Sequence, residues 1–473
     1  MLRKQKMWGF VKSAVLPAGI VATFLALTSK IAFASSAFLA YDEGYHFGII
    51  KIYSSHLIPF LGKLPAVDNQ YGSVARDGSY LYHYLMSFPV RLMDLFGLGE
   101  STQIMVLRSF SITFGIVTLY LAYKLARMLG VGKWAAQLVT LGLVITPVFY
   151  DLFSQMNYDT MMIPMTLLSI LLTIRISRSL RLRKVHVTQV LGLAGLILAT
   201  SLVKYSYLPI AAAIVMYLAA VLVRSIGVKR FTQEITVSFR KTRLGVTIGM
   251  LALVLITGVL WMQRYGVDMA IYHTPHPQCS VVLSVDQCMA YGPWARNYQL
   301  HETKNQRPIP EPQQISFTKS WIKQMYLGTF MQTKIKDGSL SFMLYDNLFR
   351  ASILLLPAGM MLALYAAGTF KRIRTQWLPI LGIGALYGTV LFVQNYADYT
   401  SFHMFIAVQA RYALPFLPFV YAFAAYGFTS IAMLVPRSQL QGFIAALLAQ
   451  RRATREESVE DAYALTYDMT PIK

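Results

Sequence analysis

The chain has 473 residues, of which 56% are hydrophobic and only 14% are charged, and its mean hydropathy is +0.49. A water-soluble protein of this size cannot bury so much apolar surface, so the composition excludes the soluble class and indicates a membrane protein. The formal net charge of +22 comes mainly from basic clusters at every second junction between apolar runs. This placement is the positive-inside pattern, so we expect anionic lipid headgroups as neighbours and no nucleic acid.

Ten apolar runs predict ten transmembrane helices in one all-α domain over residues 1–434. The short link between 187–203 and 206–223 leaves almost no connector, but the basic residues of 224–243 favour two spans here over one. The predicted spans are 14–39, 102–126, 134–150, 160–178, 187–203, 206–223, 244–262, 348–370, 377–394 and 412–434.

Both ends of the chain are predicted to lie in the cytoplasm. The basic N-terminus, the apolar run and the string AFASSA resemble a secretory signal with its cleavage site. The run 14–39 is long enough to cross the bilayer, so we expect an uncleaved anchor. The tail 435–473 turns acidic and is expected to remain in the cytoplasm.

Three longer segments fall on the outer face in this topology, namely 40–101, 263–347 and 395–411. Segment 40–101 is too apolar for a free loop and too charged to span. We therefore expect interfacial helices there, with tyrosines at headgroup depth. Segment 263–347 contains Cys279 and Cys288, whose outer placement favours a disulfide over two free thiols.

Acidic candidates for a functional site follow the first span and open the fourth. The motif YDEGYHFG places Asp42 and Glu43 directly after the first span, on the outer side. Acids at a membrane boundary are costly to desolvate and usually serve a site or pathway; a solvated helix end is the alternative. His46 and Lys51 follow within three turns and are expected to face the same cavity. In NYDT, Asp159 opens the fourth span, where the helix dipole alone also favours an acid.

Two cations are predicted at the same outer level. Arg411, in QARYALPFLP, stands at the outer mouth of the last span, where a guanidinium either binds phosphate bidentately or simply snorkels. Lys204, in LVKYSYLP, has the same two interpretations. Acids and cations from distant spans are what a lipid-phosphate donor and a hydroxyl acceptor require. The acid would serve as general base, and the cations would stabilise the departing phosphate.

These motifs resemble a known family. YDEGYHF, the stretch 78–130, NYDT and QARYALPFLP together are similar to the polyprenyl-phosphate-sugar-dependent glycosyltransferases of the GT-C fold. The resemblance is to the protein O-mannosyltransferase and aminoarabinose-transferase type. It is good over residues 35–210 and looser beyond them. One departure is SYLYHYL, where the family often has two prolines before a Tyr-Tyr pair.

The resemblance assigns roles to individual residues. It implies Asp42 as the catalytic base, with Glu43 as its close partner. Asp159 would shape the acceptor site, and Lys204 and Arg411 would contact the donor phosphate.

Further residues come from the same resemblance. Arg108 falls where the family commonly carries an arginine and is expected to bind substrate; His46 is expected to do so because it would face the same cavity as Asp42 and Glu43. Some relatives bind a divalent metal near the first loop, and His46, His83 and Glu43 are conceivable ligands. Their spacing is too scattered to predict a metal, so no cofactor is expected.

The function expected is an inverting transfer of a sugar from a polyprenyl-phosphate carrier to a glycan, lipid or protein of the cell envelope. It would take place on the outer face of the plasma (inner) membrane, where sugar nucleotides are absent. A transporter or flippase for a lipid-linked or anionic substrate is one alternative, but inverted repeats and mid-membrane acids are not evident. A glycan polymerase or ligase is another, and it would differ in using a lipid diphosphate donor.

Overall fold

The structure, a computed structural model, describes residues 2–39, 42–59, 68–309, 313–330, 351–352, 354–365, 371–406 and 408–434. Within these ranges every regular element is a helix, which confirms the all-α prediction. The predictions for the acidic tail and for parts of the two larger outer segments lie outside the described residues.

The helices of the described ranges follow one another in a simple order, with short 3-10 turns at Tyr205–Tyr207, Lys304–Gln306 and Ala410–Ala413. They are α1 (Leu2–Ala32), α2 (Glu43–Ser54), α3 (Asp68–Tyr71), α4 (Leu81–Leu95), α5 (Glu100–Met128), α6 (Lys133–Val144), α7 (Pro147–Phe153), α8 (Tyr158–Arg181), α9 (Val187–Val203), α10 (Leu208–Ser225), α11 (Val228–Lys241), α12 (Leu244–Trp261), α13 (Val267–Tyr272), α14 (Cys279–Val282), α15 (Val285–Cys288), α16 (Gly292–Glu302), α17 (Gln313–Phe330), α18 (Leu354–Tyr365), α19 (Lys371–Phe402) and α20 (Leu417–Leu434).

Several of these helices are long and apolar enough to cross a membrane, so the protein is a multi-pass membrane protein. Among the described residues, six qualify, and a seventh is added if α6 and α7, which meet at a 68° bend, form one span. Each of the ten predicted spans overlaps a helix, but α9 has only 17 residues and reaches about 26 Å, less than the hydrocarbon thickness of about 30 Å. The count of ten spans is therefore not confirmed. The six are Val15–Ala32, Glu100–Met128, Tyr158–Arg181, Tyr205–Ser225, Leu244–Tyr272 and Trp377–Phe402.

Helix α8 is the centre of the bundle. It packs against α5, α9 and α10, and 72% of its apolar window is buried, whereas the corresponding share for the peripheral α12 is 11%. A helix surrounded in this way holds a rigid position, so the side chains at its two ends are fixed by the whole bundle.

The two long segments that are predicted to lie on the outer face contact each other. Helices α2 and α4 of the first segment pack against each other. Arg264, in a π-helical turn that continues α12, is fully buried and donates to the carbonyl of Pro59 at 3.0 Å and the hydroxyl of Tyr53 at 3.1 Å. Its guanidinium also lies 4.4 Å from the ring centroid of Tyr80. Because a buried guanidinium needs all these acceptors, it ties the end of α12 to the first outer segment.

Cys279 and Cys288 form a disulfide, which confirms the sequence prediction. The bond closes the small hairpin of α14 and α15, and α15 packs on α3 of the first outer segment. Tyr291 follows this hairpin and places its ring 5.8 Å from that of Tyr45. The hairpin therefore carries an aromatic side chain onto the helix that begins at Glu43.

Candidate functional site

Four of the predicted site residues form one chain of ion pairs at one end of the bundle. Lys204 Nζ donates to Asp159 Oδ1 at 2.6 Å, and Arg411 Nη2 donates to Asp42 Oδ2 at 3.0 Å. Arg411 Nε lies 3.9 Å from Asp159 Oδ2, so the two pairs join. Asp42 and Arg411 are 369 positions apart in the sequence, and the fold brings their charged atoms into contact.

Each of these side chains is positioned by the end of an element. The amide of Asp159, in the first turn of α8, donates at 2.9 Å to the side chain of the N-cap residue Asn157, and the helix dipole favours the carboxylate there. Lys204 is the C-cap of α9 in an extended conformation, with φ −155°. Arg411 belongs to the 3-10 turn before α20. The site is therefore built where helices begin or end.

Asp42 differs from its three partners in exposure and in backbone conformation. Its side chain is 55% exposed, whereas those of Asp159, Lys204 and Arg411 are 5% exposed or less. Its backbone lies in the left-handed region, with φ 58° and ψ 16°. This conformation costs a non-glycine residue about 1 kcal/mol and is typical of functional positions. Among these four residues, Asp42 is the one that an incoming substrate can reach.

Tyrosines enclose the buried cation of Lys204. Its ammonium lies 4.5 Å from the ring centroid of Tyr158 and 4.6 Å from that of Tyr412. Two aromatic faces stabilise a cation that has left water. The sequence-based prediction, which followed the charges, missed these rings. The local signal for them is that each charged residue of the cluster has a tyrosine neighbour, in the dipeptides YD (twice), KY and RY.

Glu43 lies in a different environment from Asp42, although the two are adjacent in sequence. Arg108 Nε donates to its Oε1 at 2.9 Å and Nη2 to its Oε2 at 2.7 Å, and both side chains are fully buried. The amides of Leu39 and Met156 donate to the same carboxylate at 2.6 and 2.9 Å. Glu43 and Arg108 are thus fully buried and paired with each other, and their expected parts in catalysis and substrate binding stay predictions. The pair fixes the chain directly after Asp42.

His46 and His83 form a buried pair beside the ion-pair chain, with 2.9 Å between Nδ1 of His46 and Nε2 of His83. Burial lowers the pKa of His46, and the nearby His83 and the positive charges of Arg411 and Lys204 lower it further. Burial also lowers the pKa of His83, to about 4. Both imidazoles are therefore neutral near pH 7.

The conceivable metal ligands do not assemble into a ligand set. Glu43 is taken up by Arg108, and His46 and His83 bond to each other. In the part of the chain that the structure describes, no group of three or more His, Cys, Asp or Glu side chains is arranged to hold a metal ion. The absence of a cofactor remains a prediction.

Lys51 does not face the site, contrary to expectation. Its ammonium lies 3.2 Å from Asp94, and the two side chains are 41% and 43% exposed. Lys51 lines a separate cavity of about 510 Å³ on another face of α2, beside Gly44 and Gly48. Residues nine positions apart in a helix lie about 13 Å apart along its axis. Lys51 is therefore distant from the end of α2 at which Asp42 stands.

We expect the Arg108–Glu43 pair to dominate the stability of the site. Arg108→Met should lower the free energy of unfolding by about 3–5 kcal/mol, because it leaves a buried carboxylate unpaired. The double variant Glu43→Gln/Arg108→Met should lose less than the sum of the two single changes. Chemical unfolding in detergent measures these differences. The exposed pair Lys51→Met/Asp94→Asn is the control and should change stability by no more than about 1 kcal/mol; additive losses at Arg108 and Glu43 would contradict the interpretation.

The histidine pair predicts acid sensitivity. The unfolded chain takes up protons on its imidazoles near about pH 6.5, whereas folded His83 has its pKa lowered to about 4. Between these values protonation favours the unfolded state, so the stability that the neutral pair contributes is complete above that window and is lost as the pH falls through it. Thermal unfolding from neutral to acid pH should show a steeper fall for the wild type than for His83→Phe. The exposed His301→Phe is the control, and identical slopes for all three proteins would refute the prediction.

Comparison with known proteins shows a similarity to one family over part of the chain. Residues 65–273 match the family model of dolichyl-phosphate-mannose-protein mannosyltransferases. The matched region contains Arg108, Asp159 and Lys204, while Asp42 and Arg411 lie outside it. A search of curated proteins finds no match.

Two solved structures of an oligosaccharyltransferase from Archaeoglobus fulgidus also align with the chain. One is tethered to an acceptor peptide containing the NVT sequon; it is 12% identical, with a TM-score of 0.42, and the alignment covers 88% of this chain and 49% of that one. The other, AglB, is in complex with an inhibitory peptide and a dolichol-phosphate; it is 12% identical, with a TM-score of 0.38, and the shares are 88% and 50%. The chain thus spans about half the length of these structures. The family match agrees with the resemblance that the motifs indicated: this multi-pass membrane protein is similar over residues 65–273 to the dolichyl-phosphate-mannose-protein mannosyltransferases.

Proposed function

We propose that this protein transfers a sugar from a polyprenyl-phosphate carrier to a hydroxyl group of a cell-envelope acceptor, with inversion at the anomeric carbon. The family match over residues 65–273 supports the transferase class and a lipid-phosphate-linked donor. The acceptor is a glycan, a lipid or a protein of the envelope.

One observation carries the proposal: a single reachable carboxylate stands beside two buried cations. Asp42 is exposed, while Arg411 and Lys204 are almost fully buried and meet at Asp159. A general base must be reachable by the acceptor hydroxyl, and the groups that receive a phosphate gain strength when they are shielded from water. The arrangement provides both conditions within one cluster.

The proposed step is a single displacement. The acceptor oxygen attacks the anomeric carbon, the bond from that carbon to the phosphate oxygen breaks, and the hydroxyl proton passes to Asp42. The electron pair of the broken bond leaves with the polyprenyl phosphate, whose added negative charge Lys204 and Arg411 stabilise. Because the attack comes from the face opposite the leaving group, one displacement inverts the anomeric centre.

Asp159 serves as a positioning residue in this proposal. It holds Lys204 Nζ at 2.6 Å and lies 3.9 Å from Arg411 Nε, so it keeps two like charges close together without a donor. A donor phosphate would then enter as a second anion and compete with Asp42 for Arg411. Removal of Arg411 from Asp42 would free the carboxylate for the acceptor hydroxyl, so donor binding would precede proton transfer.

The placement of the charges also bears on the alternatives. A transporter or flippase carries its acids near the middle of broken spans, whereas Asp42 and Asp159 stand at the starts of α2 and α8. A polymerase or ligase remains the second candidate, since it would use the same cluster with a lipid diphosphate. We place the site on the extracytoplasmic face of the plasma (inner) membrane, because the basic clusters of the sequence lie at the opposite helix ends.

Asp42→Asn tests the base directly. The purified protein is incubated with a panel of polyprenyl-phosphate sugars and an envelope extract, and released polyprenyl phosphate is measured. We expect the variant to lose about 10²- to 10⁴-fold in rate because an amide cannot take the proton. Asp94→Asn, which changes another exposed acid of the same outer segment, should retain wild-type activity. Full activity of a folded Asp42→Asn variant would eliminate the mechanism, and release only from lipid diphosphate donors would favour the polymerase or ligase.

Lys204→Met tests the phosphate site. The methionine keeps the aliphatic stem between the rings of Tyr158 and Tyr412 but removes the charge. We expect kcat/KM for the donor to fall by about 10²-fold, as for other groups that stabilise a leaving anion, with the acceptor KM unchanged. Lys51→Met removes a lysine from the separate cavity and is the matched control. An equal effect on donor and acceptor parameters would argue for a general structural role of Lys204.

A further inference from the structure

A groove lies between α10 and α19, far from the cluster around Asp42. Its volume is about 490 Å³. Arg181, at the end of α8, lines it, whereas Asp159 lies in the first turn of the same helix. The 24 residues of α8 extend about 36 Å, more than the hydrocarbon thickness. The groove and the candidate site therefore belong to opposite faces of the membrane, whichever way the protein is oriented.

The walls of the groove are formed by apolar and mostly small side chains, which leave room for a hydrocarbon chain between them. Ala213 and Ala220 of α10 face Gly382 and Ile383 of α19 across it. A Cβ atom added at Gly382 would meet nothing within 4 Å, so this glycine leaves open space. Met216 is 58% exposed beside the same space, so the groove opens sideways, toward the hydrocarbon in a membrane helix.

The mouth of the groove is basic. Arg181 and Arg224 reach it from the ends of α8 and α10. The Tyr217 hydroxyl lies 3.3 Å from Arg181 Nη2 and 2.7 Å from the hydroxyl of Ser177, which fixes it at the same level. None of the described lining residues is acidic. The groove thus combines two guanidiniums and a phenol at its mouth with apolar walls that enclose the width of one hydrocarbon chain. This combination matches a phosphate that carries an acyl chain.

We infer that this groove binds one anionic phospholipid of the leaflet opposite the candidate site. The phosphate is bound by Arg181 and Arg224, and an acyl chain lies between α10 and α19. Anionic lipids concentrate in the cytoplasmic leaflet, and basic pockets between membrane helices select their headgroups. By packing between the two helices, the lipid holds α19 against α10. Helix α10 begins directly after the 3-10 turn that follows Lys204. The inference is independent of the proposed sugar transfer.

Native mass spectrometry and thermal unfolding of the full-length protein test the inference. The probes are phosphatidylglycerol and phosphatidylcholine with the same acyl chains, added without any sugar donor. We expect phosphatidylglycerol to be retained and to raise the Tm, and phosphatidylcholine to do neither. Arg181→Gln/Arg224→Gln should weaken phosphatidylglycerol binding by about 30-fold, as expected for the loss of two surface cations. Arg240→Gln/Arg243→Gln, which removes two exposed charges of the same membrane side outside the groove, should leave binding unchanged.

A second pair of variants tests the groove itself. Gly382→Leu fills the space without a backbone clash and should abolish retention of the lipid, whereas Gly388→Leu, at another open position of α19, should not. Equal binding of phosphatidylcholine, or full binding in Gly382→Leu, would overturn the inference. Displacement of phosphatidylglycerol by polyprenyl phosphate at equal concentration would also overturn it, because the groove would then belong to the donor carrier.

Discussion

The buried pair between Arg108 and Glu43 is the interaction on which the rest of the site depends. The guanidinium bonds the carboxylate at 2.7 and 2.9 Å and also donates to the carbonyls of Ala32 and Ala37, at the end of α1 and in the link beyond it. A buried charge without its partner costs several kcal/mol, so neither residue can move alone. The pair thereby fixes the chain on both sides of the link that presents Asp42, and the left-handed backbone of Asp42 turns its own side chain the other way.

The cluster around Asp159 uses charge in a different manner. Its charged groups are also mostly buried, but Asp42 remains open, so the cluster has one reachable member rather than none. Lys204 and Arg411 share the carboxylate of Asp159, as two cations of an anion-binding site would share a bound anion. In the proposed transfer, a donor phosphate would replace Asp42 at Arg411 while Asp159 keeps both cations in position to stabilise the leaving group.

Helix α8 connects the two ends of the molecule. Its first turn carries Asp159, and its last turn carries Arg181. Because neighbouring helices pack against α8 on several sides, its position is fixed within the bundle. Helix α10 also runs between the two regions, from the turn after Lys204 to Arg224 at the mouth of the groove. A lipid in the groove would thus contact α10, which begins after Lys204, and the end of α8, whose first turn carries Asp159.

The sequence by itself determined the membrane class, the helical elements and most residues of the charge cluster, because apolar runs and charged residues at their ends are local signals that survive without a fold. It also predicted the disulfide, because the predicted topology placed both cysteines on the outer side. The partition of roles among those residues was decided only by the tertiary structure. Asp42 and Glu43 are adjacent and chemically alike, yet one contacts Arg411 and the other Arg108, since a left-handed turn sends their side chains apart. Lys51 lies outside the predicted site because each successive side chain of a helix is rotated and displaced along the axis. Such choices depend on which distant segment packs on which face, and no local pattern records them.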